Sequence, residues 1–158
     1  GSGCIAITLA KNKNAKITAI DVSEDALQVA KENARINEVE INFLQQDILQ
    51  TTSLPKVDLM VSNPPYVLES EKEKMQQNIL QYEPHLALFP PDKEPLLFYK
   101  KIGNLAVKSL NCGGKLYFEI NEQYGVEILK MLSKIGFVDI ALKKDINDKD
   151  RMVKAIKK

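Results

Sequence analysis

The sequence predicts an α/β fold with a mostly parallel sheet and an antiparallel pair of strands at its C-terminal end. In the first part of the chain, β-prone runs alternate with helix-periodic segments, which is typical of βα units and a parallel sheet. Near the end, the β-prone runs 137–142 and 152–156 are separated only by a polar loop and should therefore pair antiparallel. The length of 158 residues, 44% of them apolar, fits one domain over residues 1–158.

Composition excludes several classes of function. Nucleic-acid binding through many phosphates requires clustered Lys and Arg, whereas the net charge here is +1 and acidic and basic residues alternate. The two cysteines form no CxxC pair, so we expect neither a zinc site nor any other metal, and a reducing cytoplasm. No apolar run approaches the roughly 18 residues of a membrane span, and no signal peptide is seen. Because the first residue is Gly rather than Met, we expect an N-terminally truncated chain.

A glycine-rich turn opens the chain. Gly1, Ser2 and Gly3 precede the apolar run 4–10, which predicts a helix buried on most sides. Free N–H groups and the positive dipole end at such a helix start favour an electronegative ligand, and glycines allow it to approach the backbone. The alternative is a linker left by an expression tag.

The next β-prone run, 16–20, ends at Asp21. This spacing is typical of the acidic residue that accepts ribose hydroxyls in a nucleotide-binding βαβ unit. Ser23 then predicts the N-cap of a helix, and the alternative role of Asp21 is a second cap for that helix. The apolar face of the helix consists of Ala26, Leu27, Ala30 and Ala34.

A third strand, 41–45, is followed by Asp47, which could accept a hydrogen bond from an exocyclic amine while Ile48 covers an adenine ring. A turn or helix-capping role for Asp47 is the alternative. A fourth strand, 58–62, leads to Asn63. The three successive βα units should bring the polar residues that follow their strands to the carboxyl edge of one parallel sheet, together with Gly3.

The segment Asn63-Pro64-Pro65-Tyr66 follows the fourth strand directly. Its prolines remove two backbone donors and stiffen the loop, so carbonyl groups remain available as acceptors. Asn63 offers a side-chain oxygen, Pro64 its main-chain carbonyl, and Tyr66 a flat apolar face with a polar tip. We interpret the loop as a site for a substrate that brings its own N–H groups. A proline-stiffened turn without function is the alternative.

Two further helices and a strand complete the prediction. A helix should end at the sequence 112–114, the strand 115–120 should follow, and a second helix should end at Gly136. The only histidine, His85, is assigned no catalytic role. The predicted buried side of the first helix consists of Leu97, Phe98, Ile102, Leu105, Ala106 and Leu110, and the second helix carries Val126, Leu129 and Leu132.

The sequence resembles the HemK/PrmC family of peptide chain release factor glutamine methyltransferases along its whole length. The similarity rests on residues 1–7, Asp21, 63–66 and 82–89, with further matches at 99–102, 114–119 and 150–153. It implies a Rossmann-like class I S-adenosylmethionine-dependent methyltransferase fold with the first strand missing, and without the helical N-terminal domain of the family. It also implies S-adenosylmethionine as the methyl donor, a release factor as protein partner and the Gly-Gly-Gln glutamine as acceptor.

Carried over by position, the resemblance implies that Gly1, Ser2 and Gly3 form the cofactor's glycine-rich loop. Asp21 would then bind the ribose, Asp47 and Ile48 would border the adenine, and Asn63 would lie beside the cofactor as well. The loop Asn63, Pro64, Pro65 and Tyr66 would bind the acceptor. The sequence departs from the family at 94–96 and at 120–121, where we expect altered loops.

Other functions remain open from the sequence. An Asn-Pro-Pro-Tyr loop is shared by DNA adenine methyltransferases and by other enzymes that methylate amino groups of proteins or RNA. A nicotinamide-binding oxidoreductase domain would share the glycine turn and the ribose acid, although it would not require the loop. A non-catalytic nucleotide-binding interaction module would keep the fold without turnover.

Overall fold

The computed structural model describes residues 1–65 and 94–158, which divide into two compact units, Gly1–Thr51 and Thr52–Lys158. Tyr66, the segment 82–89 and His85 lie outside the described residues. No helix in the described ranges has the length and apolar character needed to cross a membrane.

The first unit follows the predicted order of elements. Its α2 begins after Ser23, whose Oγ accepts a hydrogen bond from the Ala26 N–H at 3.2 Å, so the predicted N-cap is confirmed. The strands pair in parallel, with Thr18 opposite Asn42 and Asp21 opposite Gln45. The buried side chains are Ile7, Leu27, Ala30 and Ala34. The elements are α1 (Cys4–Asn12), β1 (Thr18–Asp21), α2 (Glu24–Ile36) and β2 (Asn42–Gln45).

The second unit contains a four-stranded mixed sheet in the order β3-β4-β6-β5. The first pair is parallel and the other two are antiparallel, which confirms the predicted antiparallel strands at the C-terminal end. A short 3₁₀ helix, Glu122–Tyr124, precedes α4. The elements are β3 (Val57–Ser62), α3 (Leu97–Ser109), β4 (Leu110–Glu119), α4 (Gly125–Lys134), β5 (Phe137–Lys144) and β6 (Asp150–Lys157).

The core of the second unit is centred on Tyr99 and Phe118, whose rings meet edge to face with centroids 5.3 Å apart. Both side chains are almost completely buried. They pack in the same apolar interior as one face of the central strands, because Leu116 and Phe118 of β4 lie opposite Ala155 and Val153 of β6.

The sheet arrangement differs from the prediction in one respect. The sequence predicted one parallel sheet, whereas the hydrogen bonds of the described residues form two sheets, β1-β2 and β3-β4-β6-β5. Among the described strands, β1 pairs with β2 and β3 pairs with β4, and no strand pairs with members of both sheets.

The end of α3 and the start of β4 also differ from the prediction. The helix ends at Ser109, and Leu110, predicted on its buried face, is the first residue of β4 and pairs with Val57. The next pair is Leu59 with Lys115, so the predicted helix stop at 112–114 is part of an irregularity within the strand, with Gly113 at φ 76°. A glycine-rich segment is typical of both features, which explains the error.

The residues of α4 differ in burial. Val126 of α4 is 54% exposed, and the buried residues of this helix are Gly125, Ile128 and Leu132.

Candidate active site

The glycine-rich turn opens α1 as predicted. The prediction that this helix is buried on most sides is wrong, because Ile7 is its one buried residue and Ile5 is 47% exposed. Gly3 is the N-cap residue in the left-handed conformation, with φ 79°, and the helix begins with a bond from the Ile7 N–H to the Gly3 carbonyl at 2.9 Å. A Cβ on Gly3 would lie 3.0 Å from the Cβ of Ala30, so the turn approaches α2 too closely for a larger residue. The Asn33 side-chain amide donates to the Ser2 carbonyl at 3.0 Å and holds the turn against α2. No side chain caps the first turn of α1.

Asp21 is the last residue of β1 and lies beside this turn. Its Oδ1 accepts a hydrogen bond from the Ser23 N–H at 2.9 Å, and its Oδ2 contacts the amine of Gly1. The side chain is 22% exposed. The bond to Ser23 fixes the orientation of the carboxylate, and the contact of Oδ2 with Gly1 places it beside the glycine turn. The structure therefore brings Asp21 and the glycine turn together, while Ser23 performs the capping.

Asp47 lies at the same edge of the two-stranded sheet as Asp21. The Gln46 N–H donates to the Asp21 carbonyl at 2.9 Å, which holds the ends of β1 and β2 side by side. The Oδ1 of Asp47 accepts from the Leu49 N–H at 2.8 Å, so this residue makes the turn that the sequence left open as an alternative. Ile48 follows and is half-buried. The carboxyl edge of the first unit thus presents two acidic residues and an aliphatic side chain.

The loop after β3 begins in the second unit. Asn63 is exposed, Pro64 is buried and Pro65 is half-buried, while Tyr66 lies outside the described residues. The last pair of the parallel β3-β4 ladder joins Ser62 to Phe118, so the loop leaves the sheet beside the end of β4. The buried ring of Pro64 anchors a segment whose neighbouring amide side chain reaches solvent.

The sequence did not reveal which residues hold the end of β4. The Tyr99 hydroxyl donates to the Glu119 carbonyl at 3.3 Å, and the Nη1 of Arg151 donates to the Ile120 carbonyl at 3.3 Å. The only signal in the sequence was that residues 99–102 and 150–153 matched the family, without any role attached. These contacts span 20 and 31 residues along the chain, so no local pattern predicts them.

Arg151 is itself held by Asp145, with 3.1 Å between its Nε and the Oδ2 of Asp145. Hydrogen bonds lower the pKa of the Asp145 carboxyl below its ordinary value, the largest contribution coming from the Lys149 backbone N–H and smaller ones from Arg151 and Asn147. The carboxylate is therefore ionised at neutral pH and available as a permanent partner for Arg151.

Two open clefts lie elsewhere in the described part of the chain. One, of about 450 Å³, is bordered by α2 and β2, and the other, of about 510 Å³, lies beside α4. Neither is lined by a predicted site residue. Within the described ranges, no three His, Cys, Asp or Glu side chains are grouped so that they could hold a metal ion.

Comparisons with known proteins agree with this architecture. Residues 1–87 match the model of the methyltransferase small domain family. A release factor glutamine methyltransferase from Flavobacterium psychrophilum is 54% identical over 98% of this chain and 55% of its own length. One from Bacteroides thetaiotaomicron is 46% identical over 98% of this chain and 57% of its own length. The chain therefore spans about half the length of the curated relatives it matches.

Solved structures show the same fold. A methyltransferase from Pyrococcus furiosus has a TM-score of 0.72 at 20% identity, covering 97% of this chain and 68% of its own. Magnesium protoporphyrin IX methyltransferase from Synechocystis, with bound S-adenosylmethionine, has a TM-score of 0.63 at 18% identity, covering 100% of this chain and 66% of its own. The predicted class I methyltransferase fold and the predicted resemblance to release factor glutamine methyltransferases are both confirmed. By its fold and by the match over more than half of its residues, the chain belongs to the methyltransferase small domain family.

Proposed function

We propose that this chain is the catalytic part of an enzyme that methylates the side-chain amide nitrogen of glutamine in the Gly-Gly-Gln motif of peptide chain release factors. The observation that carries the proposal is the 54% identity over 98% of the chain to a release factor glutamine methyltransferase. The similarity to this enzyme extends over nearly the whole chain. An enzyme with a translation factor as substrate would work in the cytoplasm.

The residues of the first unit fit S-adenosylmethionine as methyl donor. Asp21 supplies a carboxylate whose orientation is fixed by Ser23, which suits the two vicinal hydroxyls of a ribose. Asp47 is an acceptor for an exocyclic amine and Ile48 an apolar cover for an adenine ring. Gly1, Ser2 and Gly3 would lie against the cofactor at the uncapped start of α1, where free N–H groups favour an electronegative ligand.

The loop after β3 suits the acceptor. A primary amide carries two N–H hydrogens, and the Asn63 side-chain oxygen and the Pro64 carbonyl are two acceptors on adjacent residues. Pro65 lacks an N–H and adds stiffness, and we assign Tyr66 to the plane of the substrate amide from the resemblance alone. Asn63 is exposed and can reach a protein substrate, whereas the buried ring of Pro64 limits movement of its own carbonyl.

An amide nitrogen is a poor nucleophile because its lone pair is delocalised into the carbonyl, so positioning must supply much of the catalysis. When bound, S-adenosylmethionine supplies a methyl group on a sulfonium. The glutamine nitrogen would take up that methyl group, with the electron pair of the carbon–sulfur bond leaving on sulfur, and would release one proton to water. Asn63 and Pro64 hold the two N–H groups, and their negative dipoles stabilise the positive charge that develops on nitrogen.

The test uses the full-length protein with a labelled methyl donor. The substrates are a release factor and adenine-containing DNA, and mass spectrometry identifies the modified residue. We expect label only on the glutamine of Gly-Gly-Gln. Asn63→Ala should lower turnover by on the order of 10²–10³ because one of two groups that position the nitrogen is lost. Asn104→Ala, at an exposed position in α3, is the matched control and should leave turnover unchanged.

Three outcomes would contradict the proposal. Label on DNA and none on the release factor would identify a nucleic-acid adenine methyltransferase instead. Full turnover of Asn63→Ala on the release factor would remove the loop from the acceptor site, and the absence of label on either substrate would favour a non-catalytic module.

A further inference from the structure

We propose that Arg151 is a positioning residue for the Asn63-Pro64 loop, that it acts through the end of β4, and that Asp145 holds it in place. The inference deepens the proposed function and rests on it, because it assigns residues distant in sequence to the geometry of the acceptor loop.

The Asn63-Pro64 loop depends on β4, the strand that pairs with β3. In the described sheet, β3 has β4 as its only neighbouring strand. Their ladder runs in parallel to the pair Ser62 and Phe118, after which one chain continues to Asn63 and the other to Glu119. Neighbouring strands lie about 4.8 Å apart, so the end of β4 lies directly beside the start of the loop. Pro64 and Pro65 have no N–H with which to extend the ladder.

The end of β4 is itself held by side chains from other elements. Arg151 and Ile120 exchange two hydrogen bonds: the Ile120 N–H donates to the Arg151 carbonyl at 2.9 Å, and the Arg151 Nη1 donates back to the Ile120 carbonyl at 3.3 Å. From the α3 side, the buried Tyr99 donates to the Glu119 carbonyl. Two consecutive carbonyls at the end of β4 are therefore held by side chains from different elements.

Asp145 fixes the orientation of Arg151. The Oδ1 of Asp145 accepts from the N–H groups of Asn147 and Lys149 at 2.8 and 3.1 Å, so the loop between β5 and β6 holds the carboxylate rigidly. Its Oδ2 receives the Arg151 Nε at 3.1 Å. The two side chains are 27% and 19% exposed, in contrast to 53% and 85% for the Lys144–Asp148 pair in the same hairpin. The guanidinium thus joins a rigid loop to the end of β4, because its Nε contacts Asp145 and its Nη1 contacts the Ile120 carbonyl.

Substitution of Arg151 by lysine separates this role from simple charge. Lysine keeps the positive charge, but its single ammonium lacks the planar fork that contacts the carboxylate and the Ile120 carbonyl in the same plane. A structural ion pair would tolerate this change, whereas a positioning residue would not. The matched control is Lys144→Met, which breaks an exposed ion pair of the same hairpin, on a strand that β6 separates from β4.

The experiment measures kcat and KM on a release factor, and the NMR signals of the Ser62 and Asn63 backbone amides and of the Asn63 side-chain amide, all in the full-length protein. We expect Arg151→Lys and Arg151→Met to shift these signals and to lower kcat roughly 10-fold to 100-fold, because small misplacements of catalytic groups are costly. The KM for the release factor should change less than about twofold. Lys144→Met should change neither the signals nor kcat.

Asp145→Asn provides a second variant that leaves Arg151 in place, and it should shift the same signals by a smaller amount. If the Arg151 variants leave the Asn63 signals unmoved and have the same kcat as Lys144→Met, the inference is overturned. A wild-type protein that methylates no release factor would overturn the proposed function alone, since the shifts of the Asn63 signals require no substrate. Rescue of the signals and of kcat by Arg151→Lys would reduce the role of Arg151 to its charge and also overturn the inference.

Discussion

The two units hold the ends of their parallel strands in different ways. In the first unit, Asp21 and Asp47 are fixed by bonds to backbone N–H groups only two residues further along the chain. In the second unit, the end of β4 is fixed by Tyr99 and Arg151, which are 20 and 31 residues away from the carbonyls they contact. The edge that we assign to the cofactor consists of local turns, which can form wherever its strands form, whereas the edge that we assign to the acceptor depends on the packing of several elements. Variants that disturb one kind of contact should therefore have different consequences from those that disturb the other.

The largest effect on stability should come from Gly3→Ala in the first unit. A left-handed conformation costs a non-glycine residue about 1–2 kcal/mol, and crowding adds to this because the new methyl group would lie 3.0 Å from the Cβ of Ala30. We expect a loss of about 2–3 kcal/mol in the free energy of unfolding, measured with urea.

Gly113→Ala in the second unit is the matched control for this loss. Gly113 has nearly the same φ, 76°, but a Cβ there would meet nothing within 4 Å. It should cost only the conformational part, about 1–2 kcal/mol. Equal losses for the two variants would mean that the close approach of the glycine turn to α2 has no energetic consequence.

The next effect concerns cofactor binding at the local edge. Asp21→Ala removes a carboxylate that we assign to the ribose, and loss of charge-assisted hydrogen bonds should weaken S-adenosylmethionine binding by about 1.5–3 kcal/mol. Asp21→Asn keeps an oxygen that can accept from Ser23 and loses only the charge, so it should retain part of the affinity. Calorimetry on the full-length protein measures both. If neither variant changes the affinity, Asp21 belongs to the turn and not to the cofactor site.

The local edge is also the part that the sequence predicted best. The Gly3 turn, Asp21 at the end of a strand and Ser23 as N-cap were each predictable, because the residues that decide them lie within a few positions. Asp47 was left open between a turn residue and an acceptor for an exocyclic amine, because an acidic residue after a strand is expected in either role.

What the sequence could not supply depends on tertiary pairing. The end of α3 at Ser109 is decided by the pairing of Leu110 with Val57, which overrides the helical period that continues through Leu110. The division into two sheets is likewise a property of strand neighbours. The roles of Tyr99 and Arg151 require knowledge of which carbonyls they reach, and a match to a family provides no such contact.

A smaller effect separates the two kinds of contact directly. Tyr99→Phe removes a hydroxyl from a completely buried ring, and Ser23→Ala removes a half-buried helix cap. Each should cost about 1 kcal/mol in the free energy of unfolding. NMR should show shifts of Ser62 and Asn63 only in Tyr99→Phe, and shifts around Asp21 only in Ser23→Ala. Shifts confined to α3 in Tyr99→Phe would mean that the hydroxyl does not hold the end of β4.

The smallest effect is the pH dependence contributed by Asp145. Its folded-state pKa lies below the ordinary value of 3.8 because the Lys149 N–H, the Arg151 side chain and the Asn147 N–H favour the charged form. The folded state therefore releases this proton more readily than the unfolded state, and the resulting stability is fully present above about pH 4. It is lost as the pH falls through 3.8 towards the lower folded value. Because the group is solvent-accessible, the contribution should be small.

Urea unfolding of wild type and Asp145→Asn between pH 7 and pH 3 measures this contribution as the difference between the two proteins. We expect the wild type to be the more stable above about pH 4 and the difference to shrink below that value. Because salt screens contact hydrogen bonds such as those from the Asn147 and Lys149 N–H groups only weakly, most of the difference should persist at high salt. A difference that disappears on addition of salt at pH 7 would identify Asp145 and Arg151 as a screened surface pair, and the second unit would then lack the rigid loop that we propose as the support of the edge assigned to the acceptor.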